Sequence, residues 1–265
     1  MLNFLALSAN SSLFVINPHF HEIGSTSYYR LLRSLYDPVI GKKILKKADR
    51  VICVSNIEKE WLTKKYEVYN KIVIIPNGID IDKIKNAKPY DFDGRLILYI
   101  GRLEKYKNIH ILVHSMKYLL DNYYLHIIGN GSYKRALLKL IKQLNLEKKV
   151  RILSDLGDKD IHRWLKTCNI SVNLSDVEAF GITVIEALCA GKPVIVNNKG
   201  GLAELPENHS QAILAISIDN SFSYKKLAEQ IVSFSLNEPN LNLEDYAWKN
   251  IAMRIKEVYD SVGKN

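Results

Sequence analysis

Short apolar runs, separated by amphipathic stretches of helical period, recur along the whole chain. Leu13–Ile16, Val51–Val54, Ile72–Ile75, Leu96–Ile100, Tyr124–Ile128, Val150–Leu153, Ile170–Leu174 and Val194–Val196 have the length and β-branched content of buried strands. Strands alternating with helices imply parallel sheets with crossover helices. The pattern therefore predicts an α/β protein of two doubly wound, Rossmann-like parallel-sheet domains in series. The polar stretch Lys83–Gly94, with Pro89 and Gly94 as breakers, is the natural boundary. Three of the runs precede it and five or six strands are expected after it, so the first domain reads as short and the second as complete. The expected division is residues 1–86, residues 87–242 and a terminal helical segment, 243–265. That last helix, from about Leu243 to Val262, follows no strand, a placement that lets it pack back on the first domain.

Composition narrows the function class. The 265 residues give ample core for one large or two modest domains. Cys53, Cys168 and Cys189 sit in apolar segments without C-x-x-C spacing. They read as small buried hydrophobes in a reducing compartment, not as a disulfide framework or a zinc site. Met1–Ile16 has no basic start, and polar residues interrupt its apolar stretch, so a secretion signal is not expected. No run reaches membrane-spanning length, and a cytoplasmic protein is expected.

The net charge of +9 is unevenly placed. Arg30, Arg33, Lys42, Lys43, Lys46, Lys47 and Arg50 crowd one segment, with leucines and isoleucines interleaved at near-helical spacing. Such a stretch, residues 30–50, suits an anionic membrane surface on the inner face of the membrane. A core-packed helix with a solvated lysine face fits the same pattern. The chain carries neither an aromatic-basic RNA motif nor a helix-turn-helix signature, so nucleic acid is not an expected partner.

The densest chemistry lies in residues 175–191, S-D-V-E-A-F-G-I-T-V-I-E-A-L-C-A-G. The strand Ile170–Leu174 leads into a polar turn with Glu178, then a helix opening near Gly181 and stopping at Gly191. Strand, turn and helix present backbone N–H groups and a helix dipole to an anion. A phosphate alone is not served by two carboxylates, Glu178 and Glu186. A ligand with a diphosphate between hydroxyl-bearing groups is, because an ionised carboxylate accepts from O–H donors. Upstream, G-R-L-E-K-Y-K-N at Gly101–Asn108 follows the strand ending at Ile100. Its glycine permits close ligand approach, and Arg102 and Lys107 place two cations where open α/β sheets bind ligands. Gly129, Asn130 and Gly131 form a second turn suited to phosphate. Solvated surface charges and ordinary strand-ending glycines account for the same residues taken singly.

Taken in order, these motifs resemble the retaining nucleotide-sugar glycosyltransferases of family four, which have the GT-B fold. The matching residues are P-N-G-I-D at Pro76–Asp80, G-R-L-x-x-x-K-N at Gly101–Asn108, G-N-G at Gly129–Gly131 and E-A-F-G-I-T-V-I-E at Glu178–Glu186. G-K-P-V at Gly191–Val194, G-G-L-A-E at Gly200–Glu204 and Y-A-W at Tyr246–Trp248 complete the set. The resemblance implies a nucleotide-diphosphate sugar donor and a hydroxyl acceptor, a lipid-linked saccharide or polysaccharide precursor. It implies that Arg102 and Lys107 grip the diphosphate. Glu178 and the N–H groups of Phe180, Gly181 and Ile182 would hold the sugar and distal phosphate. Glu186 would accept from the ribose and the loop around Leu156 would flank the base. His19, in N-P-H-F-H-E after the first strand, resembles the histidine that faces the donor sugar. It is read equally as a structural or capping histidine. The resemblance further implies retention of anomeric configuration and no metal.

His19 with His21 lacks a third ligand and is not read as a metal pair. Asp-x-Asp occurs at Asp80–Asp82, Asp91–Asp93 and Asp158–Asp160, and none of the three is read as a metal site. Against the family pattern, the first domain lacks its opening strand and glycine-rich loop, about a hundred residues by ordinary domain size. The expectation is a fragment, a split enzyme completed by a partner chain, or a subunit that binds nucleotide sugar without transferring it. A dehydrogenase-like dinucleotide binder is disfavoured, because no G-x-G-x-x-G follows any strand.

Overall fold

The computed structural model describes residues 13–20, 40–237, 239 and 241–262. They form two compact units. The first unit takes the chain up to Gly78, the short stretch Val177–Phe180 and the segment from Asp245 onward. The second takes Ile79–Asp176 and Gly181–Glu244. The polar stretch Lys83–Gly94 therefore lies inside the second unit, and the terminal helix belongs to the first.

In the first unit, β1 (Val15–Ile16), β2 (Arg50–Cys53) and β3 (Ile72–Ile74) pair in parallel, in that order. Successive side chains of a strand point to opposite faces, and the two faces have different cover. Val51 and Cys53 join Phe20, Leu45, Leu62 and Tyr66 on one side, under α1 (Lys42–Lys47) and α2 (Asn56–Tyr66). Ile52 and Ile75 face the other way, onto Ile251 and Val258 of the terminal helix Trp248–Val262. An Arg254 Nη2 donor to the Ile74 carbonyl, 2.9 Å away, fixes that helix along the sheet.

Glu58 organises the amino end of α2. Ser55 caps the helix by accepting from the Glu58 N–H at 3.1 Å. The spacing S-N-I-E is that of a capping box. The Glu58 carboxylate does not fold back on Ser55, however. One oxygen accepts from the Val54 N–H at 2.7 Å and the other from the Phe20 N–H. The carboxyl is fully buried, and burial raises its pKa against the opposing effect of the two N–H donors.

Of the basic segment, residues 40–50 are among the described residues. Residues 21–39 lie outside the described set, so Arg30 and Arg33 have no structural account. The remainder is the short helix α1, whose Ile44 and Leu45 are wholly buried and whose Lys42 pairs with Glu67 at 2.7 Å. Among the described residues, no helix is long and apolar enough to cross a membrane.

The second unit holds a six-stranded, all-parallel sheet in the order β6-β5-β4-β7-β8-β9. Its strands are β4 (Arg95–Ile100), β5 (Tyr123–Ile128), β6 (Val150–Leu153), β7 (Ile170–Asn173), β8 (Val194–Asn197) and β9 (Ile213–Ile216). The helices are α3 (Ile81–Lys85), α4 (Ile109–Ser115), α5 (Lys134–Gln143), α6 (Asp158–Thr167), α7 (Ile182–Cys189), α8 (Leu205–His209) and α9 (Tyr224–Phe234). Ile97, Leu125, Ile127, Val172 and Ile195 of the sheet share one core with Leu112, Leu137 and Ile231 of α4, α5 and α9. On the other side, α3 packs against α6 and α7. β4, β7 and β8 are buried along nearly their whole length, which is why they read as continuous apolar runs. All three cysteines are free and buried, and burial pushes the thiols of Cys53 and Cys168 up to about 12.

Removing the Glu58 carboxylate orphans two buried N–H groups. Glu58→Ala is expected to lower unfolding free energy by about 2–5 kcal/mol in denaturant titrations. A loss below about 0.5 kcal/mol would mean that water replaces the carboxylate at no cost.

Candidate functional site

In the second sheet, β4 and β7 are neighbours, paired at Ile97–Ile170 and Leu98–Ser171. From β4 the chain crosses towards β5 and β6, and from β7 towards β8 and β9. Connections that leave two adjacent parallel strands in opposite directions open a crevice at the carboxyl edge. The loops bordering it are Gly101–Asn108, after β4, and the residues from Leu174 onward, after β7. They are tied to each other. Asn108, in the left-handed region at φ 55°, donates from Nδ2 to the Leu174 carbonyl at 3.0 Å. The Asp176 N–H donates to the Tyr106 carbonyl at 2.9 Å. Asp176 in turn accepts from Lys199 Nζ at 2.9 Å and from Asn197 Nδ2 at 3.2 Å, which joins the end of β8 to the crevice.

The glycines of the β4 and β5 loops serve each other. A Cβ on Gly129, at φ +149°, would lie 1.9 Å from the Gly101 carbonyl oxygen. One on Gly131, at φ +158°, would lie 2.4 Å from the Leu103 carbonyl oxygen. This approach lets Leu103 N–H donate to Asn130 O at 2.9 Å and Tyr133 N–H donate to Leu103 O at 2.8 Å. Glu104, nearly buried, accepts from Ser132 Oγ at 2.7 Å, and Tyr99 OH donates to the Arg102 carbonyl at 2.9 Å. The Arg102 backbone is thereby fixed while its side chain stays 63% exposed, with Glu104 Oε1 at 3.8 Å. Lys107 ends a 3₁₀ turn, Lys105–Lys107, and its ammonium stands 5.3 Å from the Tyr106 ring. On the other flank, Ser154 Oγ donates to the Gly129 carbonyl at 2.9 Å, binding the loop that carries Leu156 to the G-N-G turn.

The amino end of α7 is the anion-facing element of the sequence reading. Gly181 caps it at φ +93°, where a Cβ would lie 2.8 Å from a Leu202 methyl, and the cap has no side-chain hydrogen bond. Ile182, the first helical residue, is exposed, and Glu186 follows one turn on, half-buried. Burial above all, then the charges of Asp158 and Asp80, raises the Glu186 carboxyl to about 7. That electrostatic company was not legible in the sequence, where Asp80 belongs to the P-N-G-I-D motif and Asp158 to an Asp-x-Asp pair far from Glu186. Among the described residues, no group of three or more His, Cys, Asp or Glu side chains is arranged to hold a metal.

The carboxyl edge of the second sheet thus collects Gly101, Arg102, Lys107, Gly129, Asn130, Gly131 and Leu156 with Gly181, Ile182 and Glu186. Glu178 and Phe180 lie on the excursion Val177–Phe180, which packs with the first unit. There Ser55 Oγ donates to the Ala179 carbonyl at 2.5 Å, and the Phe180 ring meets Tyr246 at 6.0 Å. His19 also belongs to the first unit, exposed beyond β1 with φ 44°. His21 lies outside the described residues.

Residues 80–251 match the profile of the family described as glycosyl transferases group 1, and residues 3–83 that of Glycosyltransferase Family 4. An uncharacterized glycosyltransferase of Methanocaldococcus jannaschii is 30% identical over 79% of this chain and 59% of its own length. A human phosphatidylinositol N-acetylglucosaminyltransferase component is 31% identical over 81% of this chain and 46% of its own. The chain thus spans about half to three-fifths of the length of these two curated relatives. A Campylobacter jejuni N-acetylgalactosaminyltransferase, named for a diphospho-undecaprenol acceptor, is 28% identical over 98% of this chain and 70% of its own. In fold, the chain is similar to Anabaena HepE, solved with UDP and glucose. The TM-score is 0.77 and the identity 20%, over 94% of this chain and 72% of that one.

Two outcomes follow from the geometry. Gly129→Ala places a methyl against a backbone oxygen that cannot yield, and should cost about 3 kcal/mol or more in thermal or denaturant unfolding. An unchanged midpoint would contradict the close approach. Glu186 has a raised pKa, so it favours folding most below about pH 4.5, and that contribution fades as pH rises through about 7. Glu186→Gln should therefore gain stability relative to wild type above pH 7, by at most about 3 kcal/mol, and lose the gain below pH 4.5. A pH-independent difference between the two proteins would contradict the burial assigned to Glu186.

Proposed function

This chain belongs to the glycosyl transferases group 1 family, and we propose that it moves a hexose from a nucleotide-diphosphate sugar to a hydroxyl acceptor, with retention and without a resident metal. The observation that carries the reading is the carboxyl edge of the second sheet. Two cations, Arg102 and Lys107, stand on the loop after β4, which backbone bonds tie to the G-N-G turn and to Asp176, on the segment that leads from β7 to α7. The diphosphate lies along Arg102, Lys107 and the G-N-G turn, with the α7 amino end on the distal phosphate. Glu186 accepts from the ribose hydroxyls and the Leu156 loop flanks the base. Glu178 accepts from a sugar hydroxyl, and His19 faces the sugar.

In the reaction, the bond between the anomeric carbon and the distal phosphate oxygen breaks with oxocarbenium character. The acceptor oxygen bonds to the same face, and its proton passes to the departing phosphate oxygen. Arg102 and Lys107 hold the charge that develops on the leaving diphosphate. The names of the human and Campylobacter relatives support a lipid-linked acceptor at a membrane surface.

A second reading is a subunit that binds the nucleotide sugar without transferring it alone. Its support is the partial span of the relatives' length. Calorimetry and nucleotide release with UDP-, GDP- and ADP-sugars separate the two. The transferase reading expects binding and turnover, with Arg102→Ala or Lys107→Ala lowering turnover by about 10²-fold or more. Saturable donor binding without turnover, indifferent to Glu178→Ala, would instead establish the binding role. If no donor binds at all, both readings are overturned.

A further inference from the structure

The second unit has a groove of ≈ 650 Å³ between α6 and the segment that runs from α3 into the linker before β4. Its volume falls within the range of small-molecule sites. The lining is cationic: Lys83, Lys88, Lys159 and Arg163 face it with His162, against one carboxylate, Asp158. Lys83 is already committed to Asp80 at 2.8 Å, outside the lining. Lys88, Lys159 and Arg163 remain, and no described carboxylate lies within ion-pair distance of them.

The groove is built, not incidental. The Tyr90 N–H donates to Thr167 Oγ1 at 2.8 Å, and Tyr90 OH donates to Asp160 Oδ1 at 2.5 Å, strapping the linker to α6. On that strap, the Arg163 guanidinium lies 3.8 Å over the Tyr90 ring and donates from Nε to the Lys88 carbonyl at 3.0 Å. An arginine held by a stacked ring and a backbone carbonyl is pre-organised, so little entropy is lost when its remaining N–H groups meet an anion. Two lysine ammoniums beside it suit a ligand carrying more than one negative charge.

The geometry points to a second anion site, separate from the Arg102 and Lys107 loop, in which Lys88, Lys159 and Arg163 bind a small soluble phosphorylated molecule. A concave site whose two walls are tied together favours such a ligand over a flat lipid surface, which would be met by a convex patch.

The test uses the full chain carrying Arg102→Ala and Lys107→Ala, which disables the sheet-edge cations and makes the outcome independent of the donor reading. Inorganic pyrophosphate is titrated at low salt, followed by calorimetry and by the His162 imidazole proton resonances. Saturable binding to one site is expected, with a shift at His162. Lys88→Glu with Lys159→Glu should weaken it about tenfold or more while leaving the melting temperature unchanged. No saturable binding, or binding indifferent to the two charge reversals, overturns the proposal. So does charge-dependent capture by phosphatidylglycerol vesicles, but not phosphatidylcholine vesicles, without pyrophosphate binding, which would make the groove a membrane patch.

Discussion

The parallel pairing of β4 with β7 is the constraint on which the second unit depends. Parallel register sends every strand's exit to the same edge, and the opposed crossovers leave the exits of these two strands uncovered. Everything assigned to the site follows from what those exits carry. A glycine ends β4, a second glycine ends β5, and their backbones approach until only hydrogen fits between them. The cations and the helix amino end are thus set by backbone geometry and not by flexible side-chain packing, as a site for a charged, multi-part ligand requires.

Most of the architecture was legible in the sequence because both strands and helices of a parallel α/β protein are strongly patterned. Val150–Leu153 appears as expected, and Ile170–Leu174 and Leu96–Ile100 differ from the observed strands by one residue. β9 was not among the named runs: Leu214 and Ala215 dilute its β-branched content and favour helix as readily. The site's cations and glycines were legible because they sit in motifs. Its supports were not, because they pair residues far apart in sequence: Asn108 with Leu174, Glu104 with Ser132, Asp176 with Lys199. Glu58 stands at capping-box spacing from Ser55, yet its carboxylate partners, Val54 and Phe20, come together only when β1 and β2 are placed side by side.

The two units divide the predicted residues unevenly. The donor side of the reading lies on a sheet whose strands are paired on both sides except at its edges, β6 and β9. Glu178 and Phe180, on the excursion Val177–Phe180, and His19, beyond β1, belong to the first unit, whose sheet the terminal helix covers on one face. Glu186 carries an energetic tension typical of a binding carboxylate. Half-buried, it lies near the like charges of Asp158 and Asp80, and hydroxyl donors from a ligand would stabilise its ionised form.

The most direct test of the central claim is the amide NMR spectrum of the ¹⁵N-labelled chain during titration with UDP. The account predicts shifts concentrated at Gly101–Lys107, Gly129–Gly131, Leu156 and Ile182–Glu186. Shifts confined to other regions, or a spectrum unchanged by UDP, GDP and ADP alike, would contradict a nucleotide site at that sheet edge.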